Sequence, residues 1–131
     1  MRLLLDTHIA LWALVASPRL SVRAGSLISD KQNLIAVSAA SIWEIAIKYA
    51  RNRGIEGDMP ISGGEACRLF EGAGFLLLPV APAHAAAVDE LPRTHGDPFD
   101  RLLIAQARFE SMTLLTHDRK VAAYSDSILL V

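Results

Sequence analysis

Hydrophobic residues in this chain fall into short unbroken runs separated by longer stretches of helical periodicity. Leu3-Leu4-Leu5, Leu34-Ile35-Ala36-Val37, Phe75-Leu76-Leu77-Leu78, Thr113-Leu114-Leu115-Thr116 and Ile128–Val131 are continuous rather than alternating. That is the pattern of strands covered on both faces. Between them, Ile9, Leu11, Trp12, Leu14 and Val15 follow Thr7 densely and predict a mostly buried helix, stopped by Ser17-Pro18. Further helices are expected from Ser21 to about Lys31, from Ser38 to Tyr49, over Glu65–Glu71, over Ala83–Leu91 and over Lys120–Tyr124. Gly54 to Gly64, with four glycines and one proline, reads as a surface loop.

The run from His95 to Ala107 carries the clearest helix start. Asp97 followed by Pro98 supplies a capping side chain and a first residue that needs no N–H. Leu103, Ile104 and Ala107 then recur on one face, and Asp100 falls in the first turn, where the helix dipole favours a carboxylate. Strands alternating with helices call for a parallel sheet covered on both sides, a three-layer α/β/α sandwich. The 131 residues are read as one domain, 1–131. In such folds ligands bind beyond the carboxyl ends of the strands.

Composition sharpens this picture at three points. Apolar residues reach 52% against 21% charged, yet no run approaches the ~20 residues of a membrane span. Asp6 interrupts the first apolar run too early for a secretory signal, so a cytoplasmic protein with a partner-covered surface is expected. Cys67 is the single cysteine, which excludes an internal disulfide and a thiolate metal site within the chain. A net charge of −1 gives no global attraction to nucleic acid, leaving only the local clusters Lys48/Arg51/Arg53 and Arg119/Lys120.

Four acids bear on chemistry. Asp6 directly follows the first strand, Glu44 lies early in the helix after the second, Asp100 opens the helix leading into the fourth, and Asp118 lies just past that strand. In a parallel sheet all four project from one edge. Each also has an ordinary explanation: Asp6, Asp97 and Asp118 as helix caps, Glu44 as a capping-box partner of Ser41 or an ion pair with Lys48. Gathered together, carboxylates resist ionisation, and a divalent cation relieves the conflict. All-oxygen ligation favours Mg²⁺ or Mn²⁺.

The chain resembles the PIN-domain family, and more narrowly the VapC-type toxins of bacterial toxin–antitoxin pairs. The resemblance is carried by Leu4-Leu5-Asp6-Thr7-His8, by Val37 through Lys48, by His95 through Ala107, and by Leu115-Thr116-His117-Asp118. It implies a ribonuclease dependent on Mg²⁺ or Mn²⁺, a homodimer, and inhibition by a cognate antitoxin. The catalytic acids it implies are Asp6, Glu44, Asp100 and Asp118, with Asp6, Asp100 and Asp118 on the metal. Asp97 is an addition found in the Asp-Pro-Phe-Asp-Arg branch, and Thr7 and Thr116 match hydroxyl positions that support the acids. Basic residues around the cleft, Arg101 first and then Lys48 and Arg119, are the expected contacts to RNA. Two rivals remain open: a non-catalytic module of the same fold that binds RNA or protein, and a phosphatase using Asp6 as nucleophile. The second lacks the expected further aspartate, since His8 stands at that position.

Overall fold

The computed structural model describes residues 1–93 and 96–131; His95, which opens the 95–107 run, lies outside the described residues. Five strands form one sheet: β1 (Arg2–Leu5), β2 (Leu34–Ser38), β3 (Leu76–Leu78), β4 (Thr113–Thr116) and β5 (Ile128–Leu130). All neighbours pair in parallel in the order β3-β2-β1-β4-β5. The chain therefore steps outward from β1 to β3, returns, and builds the other half through β4 and β5. The strand order reverses between β1 and β4, and a crevice at the strands' carboxyl ends is expected there.

Continuous apolar runs work because the sheet is covered twice. Leu3 and Leu5 face one layer, packing with Ile35, Val37, Leu115 and with Ile9, Ile45 and Phe70. These come from α1 (Thr7–Leu14), α3 (Ala39–Ala50) and α4 (Gly63–Gly72), with α2 (Val22–Ser29) alongside. Leu4 points the other way and packs with Ala36, Leu114, Leu103, Ile104 and Val121. That layer is α5 (Pro82–Ala87), α6 (Pro98–Phe109) and α7 (Arg119–Ala122). The period-two alternation thus divides one leucine triplet between two cores. The architecture is the expected α/β/α sandwich.

Several boundaries differ from the sequence expectation, each for a local reason. The helix expected over Ala83–Leu91 stops at Ala87 and continues only as a 3₁₀ turn, Val88–Glu90. Pro82 opens it rather than merely ending the strand before. Its amino end is held by the buried His84, whose Nδ1 accepts the Ala81 N–H at 2.9 Å while Nε2 faces Glu110 at 3.1 Å. The fourth helix starts at Gly63, two residues early, because Ser62 and Glu65 form a capping box. Gly63 is a contact requirement: a Cβ there would lie 2.9 Å from Ala46 Cβ, so its bare backbone is what lets α4 approach α3. The loop after α3 is also built. Asp58 accepts the N–H groups of Arg53, Gly54 and Ile55, and Asn52 exchanges two hydrogen bonds with the backbone of Met59.

Candidate active site

Asp6, Asp97, Asp100 and Asp118 are delivered by the ends of elements at the carboxyl edge of the sheet, and Glu44 by the second turn of α3. Asp6 leaves β1, its backbone N–H still donating to Leu115 at 3.0 Å. Its Oδ1 caps α1 by accepting from Ile9 N at 2.8 Å, and its Oδ2 accepts from the Thr116 hydroxyl at 2.6 Å. Thr116, the last residue of β4, also accepts the Asp118 N–H at 3.0 Å. One hydroxyl therefore sets the separation of Asp6 and Asp118 across the point where strand order reverses. Asp118 Oδ1 in turn caps α7 through Lys120 N at 2.8 Å.

Glu44 is buried, with the exposed Trp43 before it and the exposed Lys48 one turn on along α3. The Thr7 hydroxyl is 2.6 Å from Glu44 Oε1 and 2.9 Å from Ser41 Oγ. A hydroxyl has one hydrogen, which goes to the carboxylate, so Ser41 donates to Thr7. Lys48 Nζ sits 2.7 Å from Glu44 Oε2, the i,i+4 pair. The Ser41 capping box does not form: Ser38 caps α3, and Ser41 serves the Thr7–Glu44 relay instead.

The opening of α6 completes the set. Asp97 Oδ1 accepts from Phe99 N and Asp100 N, capping α6, and both Asp97 and Asp100 line the cleft. A cleft of about 200 Å³ is lined by Asp6, Thr7, His8, Glu44, Asp97, Asp100 and Asp118, with Lys48 and His117 at its margin. Electrostatics reports the same convergence. The Asp100 carboxyl is pushed up to about 7, first by burial and then by the charges of Asp97, Asp6, Glu44 and Asp118. Burial also raises Asp6, against the hydrogen bonds from Thr116 and Ile9 and the nearby His117 and His8.

The donor set is all oxygen and several times negative, the chemistry that suits a hard divalent cation. Charge repulsion at Asp100 is what such an ion would cancel, so the residues fit one. Among the described residues, however, no three His, Cys, Asp or Glu side chains stand close enough together to hold a metal ion as they are placed. The remaining predicted contacts are placed as follows. Lys48 is engaged with Glu44, and Arg119 is exposed at the start of α7. Arg101 donates to the Pro92 carbonyl at 2.8 Å and to the Tyr124 hydroxyl at 3.2 Å, tying the approach to α6 onto the end of α7.

Three rings at the lip of the cleft escaped the sequence reading. His8, Trp12 and His117 form a cluster, with centroids 5.8 Å apart for His8–Trp12, 5.6 Å for His8–His117 and 4.7 Å for Trp12–His117. The available signal was adjacency, since His8 and His117 each lie within two residues of a site acid.

The PIN-domain family model matches residues 3–126. Ribonuclease VapC22 of Mycobacterium tuberculosis is 32% identical over 124 residues, covering 92% of this chain and 90% of the relative. Among solved structures, VapBC2 from Rickettsia felis bound to a promoter DNA fragment superposes with a TM-score of 0.70 at 18% identity, covering 98% of this chain and 96% of that one. VapC20 of Mycobacterium tuberculosis, a sarcin-ricin loop cleaving toxin, superposes with a TM-score of 0.65 at 15% identity over 98% of both chains. The two structural likenesses show a shared fold.

Proposed function

The chain belongs to the PIN-domain family, and on that footing we propose that it is a divalent-metal-dependent endoribonuclease acting as the toxin of a toxin–antitoxin pair. One observation carries the reading: Asp6, Glu44, Asp97 and Asp118 converge on Asp100 in a single cleft, where burial first and then their charges raise its carboxyl. A fold stabilised for its own sake would not gather that much like charge. The ribonuclease relative and the toxin-complex neighbours point the same way.

In this reading Asp6, Asp100 and Asp118 hold Mg²⁺ or Mn²⁺. A bound ion would supply positive charge at the scissile phosphate and acidify water. Glu44 takes the proton of the attacking water; each of its oxygens accepts one hydrogen bond, from Thr7 or Lys48, and keeps a lone pair for that task. Water adds in line to phosphorus, the bond to the 3′ oxygen breaks, and that oxygen takes a proton from solvent, so the products are a 5′-phosphate and a 3′-hydroxyl. Thr116 and Thr7 hold the acids in place.

The antitoxin is proposed to cover the apolar recess of about 490 Å³ formed by Leu11, Trp12, Leu14, Met59, Ile61 and Leu69, which adjoins the acidic cleft at His8. A cationic residue of that partner would reach the carboxylates. The chain is further proposed to form a homodimer.

The test of the nuclease reading is cleavage of single-stranded RNA with Mg²⁺ or Mn²⁺, with EDTA, and with Asp6→Asn. Metal-dependent cleavage lost at least 100-fold in Asp6→Asn is the expected result. Tight Mn²⁺ binding with no cleavage of any RNA leaves the non-catalytic module instead.

A further inference from the structure

We infer that the His8–Trp12–His117 cluster is a stacking platform for a nucleobase flanking the phosphate held at the carboxylates. The inference rests on the ribonuclease reading and adds to it where the substrate is gripped.

The cluster sits where such a platform must be. His8 lines both the acidic cleft and the apolar recess beside it, His117 lines the cleft, and Trp12 lines the recess. His117 Nδ1 stands 4.0 Å from Asp6 Oδ2, so the rings begin where the carboxylates end. Two separate segments build it: α1 leaves β1 carrying His8 and Trp12, and the turn after β4 brings His117 to them. Trp12 is half-buried while both histidines are exposed, which is not the burial of three core side chains.

Charge explains why stacking is needed here. The chain has a net charge of −1, and Asp6, Glu44, Asp97, Asp100 and Asp118 all face the cleft. A polyanion gains little from such a surface, because counterion release requires phosphates neutralised by Lys or Arg. Lys48 is already engaged by Glu44, and Arg101 by Pro92 and Tyr124. Stacking of a base on an aromatic ring adds sequence-tolerant affinity without requiring a further cation at the phosphate. A nucleotide whose phosphate lies at the acids presents its base to whatever flat surface borders them, and this cluster borders Asp6. A second recess of about 460 Å³ shares Asp97, Asp100 and Asp118 with the cleft and carries Lys120 and Tyr124.

The experiment uses a mixed-sequence single-stranded RNA carrying 2-aminopurine at one position at a time, and the same series with an abasic site instead. With the wild-type chain, one position adjacent to the cut is expected to show strongly quenched fluorescence, and removing that base should raise KM about 10-fold. Trp12→Leu should raise KM by a similar factor with kcat changed much less, abolish the quenching, and make the abasic substitution neutral. Trp12→Phe should restore most of the loss, which a merely structural role would not produce. Asp6→Asn separates the two readings: it should lose cleavage yet keep RNA binding and quenching. If wild-type cleavage depends on Asp6 but Trp12→Leu leaves KM, quenching and the abasic penalty as they were, the platform is overturned and the nuclease stands. That pattern would assign the rings to a protein partner. If the wild-type chain neither binds nor cuts RNA, both fall.

Discussion

The site acids hold two posts at once. Asp6, Asp97 and Asp118 each give an oxygen to cap a helix, and the same three line the cleft. In the sequence, capping and catalysis present themselves as alternatives; in the molecule the cap fixes the rotamer that aims the side chain. Asp100 differs, since its carboxyl is pushed up to about 7 by burial and by Asp97, Asp6, Glu44 and Asp118. The ordinary value is 3.8. Between those values the folded chain binds a proton that the unfolded chain releases, so this group's contribution to metal-free stability is full below the lower value and is lost as pH rises through the upper. Asp100→Asn removes the penalty. At pH 8 without metal its Tm should exceed wild type by about 3–6 °C, corresponding to about 1 kcal/mol once solvent screening of a half-buried group is allowed for. The gain should vanish near pH 4, and Mn²⁺ should no longer stabilise the variant. A lower Tm than wild type at pH 8 would contradict the assignment.

At the level of elements, the strands were legible because burial on both faces leaves an uninterrupted apolar run, visible in any window. The start of α6 was equally legible from Asp97-Pro98. What stayed hidden depended on partners remote in sequence. No periodicity announces that His84 turns its ring back to the Ala81 N–H and meets Glu110, or that Thr7 reaches Ser41 and Glu44. The Ser62-x-x-Glu65 box was readable and was masked by the glycines inside it. The loop from Gly54 looked loose by composition, yet Asp58 orders it. Slight burial nudges that carboxyl upward, but the N–H groups of Ile55, Arg53 and Gly54 outweigh it and leave its pKa below the usual value. The ordering is therefore present above the unfolded value and lost as pH falls through the lower folded one. Asp58→Ala should speed amide hydrogen exchange at residues 53–55 by at least 10-fold while the sheet amides keep their protection. Unchanged exchange at 53–55 would show that the loop is held by something else.

Across the whole molecule, apolar residues exceed what two thin cores hide. Trp43 is 61% exposed and rests edge-on against Phe99 at 5.3 Å, joining α3 to α6 on the outside. An exposed aromatic seam of that kind is what a second copy would cover. Light scattering at high concentration should report a dimer for the wild-type chain and a monomer for Trp43→Glu, with circular dichroism unchanged. A wild-type monomer at every concentration would remove the homodimer from the proposal. No helix among the described residues is long and apolar enough to cross a membrane.

The bond from Thr116 to Asp6 joins residues 110 positions apart, and β1 cannot meet β4 until both exist. Chains emerge from the ribosome amino end first. A nascent chain that has already displayed Asp6 and Glu44 still lacks the strand that braces one and the acid that completes the set. On the proposed reading the toxin is harmless through most of its own translation. It becomes armed only when the segment around 116–118 is free to fold, which is also when an antitoxin has a finished surface to seize.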